Sequence, residues 1–458
     1  MLIGGDTEAK HPGGSNRRDL LIVLGVAAAV RLACWFAASA PTGDEASYQD
    51  AAWQFVTSGK TDVFWPPGTS WLIAVVFALC GPHYGAARLV WVAIDLVNVG
   101  LIHALGRRVQ VPAGLGDRGR RVPMMASLVY SVYVPAATLA VRTTSEIPAA
   151  LLVLSSALLL VPGRSRRFGF LAASGLASGF LVLFRPSLAP IPFAMAAWLL
   201  AEGGASMGMR LRRVGLFSAF AVPLVAARVA TTFLSTGLVS VSTNTAYNLY
   251  VGNAPAYQDD LNLFSPAATP SQKAARRGEA GREHDETGGL SSVEMNRQGM
   301  GFIWRRPGLF LRRASGRLAR VFAPKTSQLD FLGGEAKVPV TDPKAIALLL
   351  LGNLEWGAIL AAGVGGIFSL AARAKTWSRY LSLPILGSLP LCLVAISKPR
   401  YSFPFEPFLI LAAAVFVAGA PASLRSLTQR RALVLAPIYI FLAWSWLAWL
   451  SFAITSRA

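Results

Sequence analysis

Charge is scarce in this chain, and acid is scarcer than base. Only 14% of its 458 residues are charged, against about a quarter in an ordinary soluble domain. With 54% hydrophobic residues, lipid rather than water must solvate much of the surface. Just 23 acidic side chains stand against 43 basic ones, so any carboxylate beside an apolar run is conspicuous. The three cysteines, Cys34, Cys80 and Cys392, each lie inside an apolar run and far from any CxxC or Cys/His spacing. That excludes a disulfide framework and a thiolate zinc site. The four histidines, His11, His83, His103 and His284, are scattered, which argues against a histidine metal centre. No internal repeat or inverted pair of broken helices is visible, which weighs against a transporter.

What is present is a succession of apolar runs from Leu20 to Ile454 with short basic gaps between them. They read as an all-α, polytopic transmembrane bundle of about 11 spans. The net charge of +20 would suit a nucleic-acid partner, but the arginines sit in the short gaps, where they orient a bilayer protein. No nucleic acid is expected. Residues 1–19 form a cytoplasmic tail, with Arg17 and Arg18 before the first span, 20–40, which is too long for a cleaved signal.

The spacing after that span predicts a short interfacial helix from about Ser47, broken at Pro66-Pro67-Gly68. The next apolar stretch, 69–80, is shorter than the ~20 residues a span needs and is taken as a second interfacial or re-entrant helix. The first external loop then runs from 41 to 85, and every short basic cluster falls on the cytoplasmic side. Residues 122–141, 147–161, 169–184, 186–201 and 214–234 are read as further spans. Four segments result: the tail 1–19, an N-terminal catalytic module 20–234, a large external loop 235–342, and C-terminal spans within 343–458. In the large loop, 258–289 reads as mobile and 302–322 as one amphipathic helix suited to lying on lipid head groups.

In this topology one face collects Asp44 and Glu45, Arg142 and Glu146, Arg185, Asn244, Asn248 and Asn253, and Lys398, Arg400 and Tyr401. Acids and bases gathered at one end of a bundle mark a site for a charged, membrane-borne substrate. Plainer readings stand beside this one. Asp44-Glu45 can cap the helix that follows, Glu146 can pair with Arg142 or Arg185, and Arg142 can snorkel. Arg88 can pair with Asp44 or Glu45, Asp95 can pair inside the bundle, and the asparagines of NLYVGNAP can make turns. Trp53 and Trp65 read as part of the aromatic belt.

The series GDEASYQDA, FWPPGTSWLIAVVFALCG, the Arg88 span ending in LGRRV, TTSEIPAALL, GLASGFLVLFRP, NLYVGNAP and KPRYSFPFEPFLILAAA runs the length of the chain. In order and spacing it resembles the bacterial GT-C membrane glycosyltransferases, in their protein-mannosyltransferase-like and aminoarabinose-transferase-like branch. That resemblance implies an inverting transfer of a sugar from a polyprenyl-phosphate donor to a glycan, lipid or protein acceptor. The transfer would take place on the periplasmic or extracytoplasmic face of the inner or plasma membrane. It makes Asp44 the general base, with Glu45 and Glu146 beside it in the catalytic group. The carrier phosphate then falls to Lys398, Arg400, Tyr401, Arg185 and Arg88, since a cation just outside a span meets phosphate at head-group depth. Asn248, Asn253 and Arg142 are left for sugar and acceptor. No metal or other cofactor is expected, although two adjacent carboxylates such as Asp44 and Glu45 can hold a divalent ion weakly. The alternative is a transporter or flippase of a lipid-linked sugar, and a third reading is a non-catalytic partner in glycan assembly.

Overall fold

The computed structural model describes residues 13–110, 112–162, 167–254, 290–326, 328, 331, 342–420 and 429–455. Among these the regular structure is entirely helical. In chain order the α-helices are α1 Gly13–Ala37, α2 Asp44–Ser58, α3 Pro67–Cys80, α4 Tyr84–Val109, α5 Val122–Val132, α6 Val134–Leu139, α7 Glu146–Leu159, α8 Phe168–Phe184 and α9 Pro190–Ala201. They continue with α10 Met207–Thr236, α11 Asn244–Asn253, α12 Ser292–Arg305, α13 Pro307–Phe322, α14 Pro343–Arg373, α15 Lys375–Val394, α16 Glu406–Ala418 and α17 Gln429–Thr455. A 3-10 segment, Pro399–Phe405, leads directly into α16. Among the described residues five stretches are long and apolar enough to cross a bilayer: Arg17–Ala37, Tyr84–Val109, Met207–Thr236, Pro343–Arg373 and Pro399–Ala418. Shorter apolar helices, α3, α7, α8 and α9 among them, pack between these.

Proline redraws several expected elements. The run 122–141 is two helices rather than one, because Pro135 cannot continue the ladder and forces the chain to turn at Tyr133. The Val134 amide, freed by the break, donates to Glu355 Oε2 of α14 at 2.8 Å. The amphipathic run 302–322 likewise divides at Arg306, where Pro307 starts α13. The helix expected from Ser47 starts three residues earlier: Gly43 is its N-cap, and Asp44 and Glu45 form its first turn instead of capping it. The short apolar stretch at 69–80 is a helix of 14 residues, α3, opened by Pro67. The segment 258–289 lies outside the described residues.

Small residues set the closest packing. Gly175 and Gly179 of α8 lie against the backbone of α10; a Cβ on Gly179 would sit 2.8 Å from the Ala221 carbonyl oxygen, and one on Gly175 would meet that of Phe217. Four-residue spacing puts both glycines on one face, so the two helices can approach backbone to backbone. The adjoining flank of α8 is tied to α7 by hydroxyls, Ser156 to Ser174 at 2.7 Å and to Ser178 at 3.1 Å. In the core, Arg31 of α1 and Asp95 of α4 form a fully buried ion pair at 2.9 Å. The Tyr130 hydroxyl of α5 donates to the same carboxylate at 2.6 Å. Asp95 therefore pairs within the bundle, as its position in an apolar run requires.

Candidate functional site

The loops at this end of the bundle are organised by α2, whose first two residues point in different directions. Successive helical residues are rotated by about 100°, so Asp44 and Glu45 face different neighbours. Glu45 is buried and accepts Arg88 Nε at 3.1 Å and Nη2 at 3.3 Å, the Thr143 amide at 3.1 Å and the Thr143 hydroxyl at 3.3 Å. Arg142 Nε lies 3.5 Å from its other oxygen. This carboxylate binds α2 to α4 and to the loop 140–145. That loop is itself buried, and side chains meet two of its polar groups: Gln49 donates to the Thr143 hydroxyl at 2.8 Å and Trp91 to the Thr144 carbonyl at 2.7 Å.

Asp44 instead faces a cavity of about 130 Å³. Its carboxylate pairs with the Arg400 guanidinium. Burial alone would push the Asp44 carboxyl up, but the charges of Arg400 and Lys398 outweigh it and hold it at about 2. Arg400 is shared, since its Nε also lies 3.3 Å from Glu146 Oε1. Glu146 opens α7, and the same oxygen receives Arg185 Nη1 at 2.9 Å. Arg185 follows the last turn of α8, donates to the Ser145 hydroxyl at 2.9 Å and stacks over the Tyr401 ring at 4.6 Å. Two carboxylates and two guanidiniums from four separate elements thus alternate along one wall, while Glu146 Oε2 has no hydrogen-bond partner among the described residues.

The facing wall comes from α11 and the segments next to it. The amides of Thr243 and Asn244 donate to the carbonyls of Val63 at 2.9 Å and Phe64 at 3.0 Å, which fixes α11 to the loop between α2 and α3. Asn244 and Asn248 line the cavity and are linked through Asn248 Nδ2 and Asn244 Oδ1 at 2.5 Å. Tyr48 and Trp65, with ring centroids 4.8 Å apart, provide an aromatic floor. Ser242 Oγ, also at the cavity, is buried and has no hydrogen-bond partner among the described residues.

Of the residues given a role in the sequence, Asp44, Glu146, Arg185, Arg400, Tyr401 and Asn248 come together on this cavity, with Asn244 from the same predicted face. Glu45, Arg88, Arg142, Lys398 and Asn253 stand outside its lining. Asn253 is fully buried and donates to the carbonyls of Leu249 and Val394, both at 2.8 Å. Lys398 acts on Asp44 only through its charge. Tyr48 and Ser242 were missed as site residues, because a tyrosine on an apolar helix face and a serine in a loop carry no signal of their own. Trp65, read in the sequence as part of an aromatic belt, lines the cavity. Among the described residues no group of three His, Cys, Asp or Glu converges as a metal site.

Residues 65–230 match the family model described as dolichyl-phosphate-mannose-protein mannosyltransferase. The matched region holds Glu146 and Arg185 and ends short of Asp44 on one side and Arg400 on the other. The chain is thus similar to GT-C membrane glycosyltransferases, as its series of motifs indicates. No curated protein matches it. Solved structures similar to it include the oligosaccharyltransferase of Archaeoglobus fulgidus tethered to an acceptor peptide carrying an NVT sequon. That likeness has 15% identity and a TM-score of 0.48, and covers 95% of this chain and 53% of the other. Another is ArnT of Cupriavidus metallidurans bound to undecaprenyl phosphate, with 14% identity, TM-score 0.40, and 88% and 78% coverage. The chain therefore spans about half the length of the oligosaccharyltransferase.

Proposed function

We propose that this chain is an integral membrane glycosyltransferase that moves a sugar from a polyprenyl-phosphate donor to an acceptor hydroxyl on the periplasmic or extracytoplasmic face. The observation that carries the reading is the position of Arg400, held between Asp44 and Glu146 with Arg185 beside it on one cavity wall. A lipid phosphate entering the cavity offers these guanidiniums a multiply charged partner with several acceptor oxygens, which competes well against a single carboxylate. Arg400 then turns from Asp44 to the phosphate, and Asp44 is released to act as a base. The donor sugar, flanked by Tyr48 and Trp65 and facing the Asn244–Asn248 amides, presents its anomeric carbon to the acceptor.

Asp44 takes the proton of the acceptor hydroxyl as that oxygen bonds to the anomeric carbon, and the bond from that carbon to the phosphate oxygen breaks. The electron pair leaves with the polyprenyl phosphate, whose added charge Arg400 and Arg185 neutralise. One displacement at the carbon inverts its configuration and needs one base, because phosphate leaves without a proton. Ion pairs that strengthen as charge develops on the leaving group favour the transition state over the bound donor. The test is to incubate the purified chain in lipid nanodiscs with polyprenyl-phosphate hexose and an acceptor lipid. Free polyprenyl phosphate and glycosylated acceptor are expected in equal amounts. Movement of intact donor between leaflets without cleavage would overturn the reading in favour of a flippase.

A further inference from the structure

A buried ammonium outside the cavity holds the segment that carries Arg400. Lys325, in the stretch between α13 and α14, is 1% exposed, and its Nζ donates to the Pro399 carbonyl at 2.7 Å. The same nitrogen donates to the Ser402 hydroxyl and pairs with Glu406 Oε1 at 2.6 Å. An ammonium has three protons, and here all three partners belong to the segment 399–406. The same Nζ lies 4.0 Å from the centroid of the Trp356 ring, a cation–π contact. The Ser402 hydroxyl closes the set by donating to Glu406 Oε1 at 2.6 Å. Lys325 is itself fixed from α14: its amide donates to Asn353 Oδ1 at 2.5 Å and its carbonyl accepts Asn353 Nδ2 at 3.0 Å.

Arg400 and Tyr401 lie between the two residues that Lys325 grips, Pro399 and Ser402. A buried ion pair adds little net stability, since desolvation offsets most of the attraction, and apolar replacements of such pairs are often neutral. What three convergent hydrogen bonds do fix is backbone geometry, and the direction of a guanidinium follows from the backbone that bears it. Resting on the donor-phosphate reading above, we propose that Lys325 is a positioning residue for phosphate binding, locking the 399–402 turn so that Arg400 reaches the donor.

The test uses full-length chain in nanodiscs and undecaprenyl monophosphate as the probe, with binding measured by native mass spectrometry and donor and acceptor KM measured separately. The double variant Lys325→Met/Glu406→Gln removes both charges together and leaves none unpaired in the core. It is expected to fold, to bind the probe at least about tenfold more weakly, and to raise donor KM in step, with acceptor KM unchanged. Wild-type affinity in the folded double variant, or donor and acceptor KM rising together, would overturn the assignment. If the double variant does not accumulate as folded protein, Ser402→Ala carries the test. Weaker binding of the probe then supports the clamp, and wild-type binding overturns it. A wild-type chain that fails to bind the probe at all would overturn the donor reading and this assignment with it.

Discussion

In the proposed reaction two adjacent carboxylates, Asp44 and Glu45, divide the work between chemistry and architecture, and their neighbours differ accordingly. Glu45 is enclosed by Arg88, Arg142 and Thr143, so its removal leaves buried guanidiniums without their anion. Glu45→Ala should cost about 3–5 kcal/mol of stability, read as loss of folded protein in fluorescence-detected gel filtration or a large drop in Tm. Asp44→Asn, at a cavity edge, should leave Tm within a few degrees of wild type. The sequence reading grouped the pair as catalytic because adjacency on a chain says nothing about direction. Only the helix starting at Asp44, rather than near Ser47, turns them apart.

Arg400 gives the second prediction at this scale. With Arg400 present, Asp44 sits at about 2, so it is deprotonated throughout the working range, and its ion pair adds stability that is fully present above 3.8, its ordinary value, and is lost as pH falls from there through about 2. In Arg400→Gln, burial is opposed only by Lys398 and Arg142, and the Asp44 carboxyl must rise. A base is lost when it is protonated, so the acid limb of kcat/KM should move to higher pH in the residual activity of the variant. Wild type should stay flat down to about pH 5. An unmoved acid limb would mean that Asp44 is not the titrating base.

The glycines of α8 connect packing to the site at the scale of elements. Gly175 and Gly179 let α8 lie against α10, and α8 ends at Phe184, immediately before Arg185. Gly175→Val would drive a side chain into the Phe217 carbonyl, push the helices apart and shift Arg185 away from Glu146. The expected result is a lowered Tm together with weakened polyprenyl-phosphate binding; an unchanged Tm would show that the contact tolerates bulk. GLASG is visible in the sequence, but its partner helix is not, since a four-residue spacing names a face without saying what covers it.

Elements were legible where composition decides them and illegible where proline or tertiary partners do. The short helix α3 follows from its length alone. The breaks at Tyr133 and Arg306 follow from Pro135 and Pro307, residues that the apolar and amphipathic patterns ran straight through.

Across the whole molecule, basic gaps, short helices and polar span ends imply a topology in which distant residues share a face, and six of the predicted site residues meet on one cavity. The internal polar network was the least legible part. Arg31, Lys325 and Glu406 are single charges in or near apolar runs, and nothing in their local sequence distinguishes a buried clamp from a snorkelling end. Their meaning arises only from partners 64 and 81 residues away.

The account turns on Asp44 as the base that the donor releases from Arg400. The most direct measurement compares wild type and Asp44→Asn, purified in nanodiscs, for two quantities: bound undecaprenyl monophosphate, and free polyprenyl phosphate released from a polyprenyl-phosphate hexose in the presence of acceptor. Both proteins should bind the phosphate, with the variant binding at least as tightly because Arg400 is no longer held by a carboxylate, and release should fall by about 10²–10⁴-fold. Release by Asp44→Asn at the wild-type rate would contradict the account.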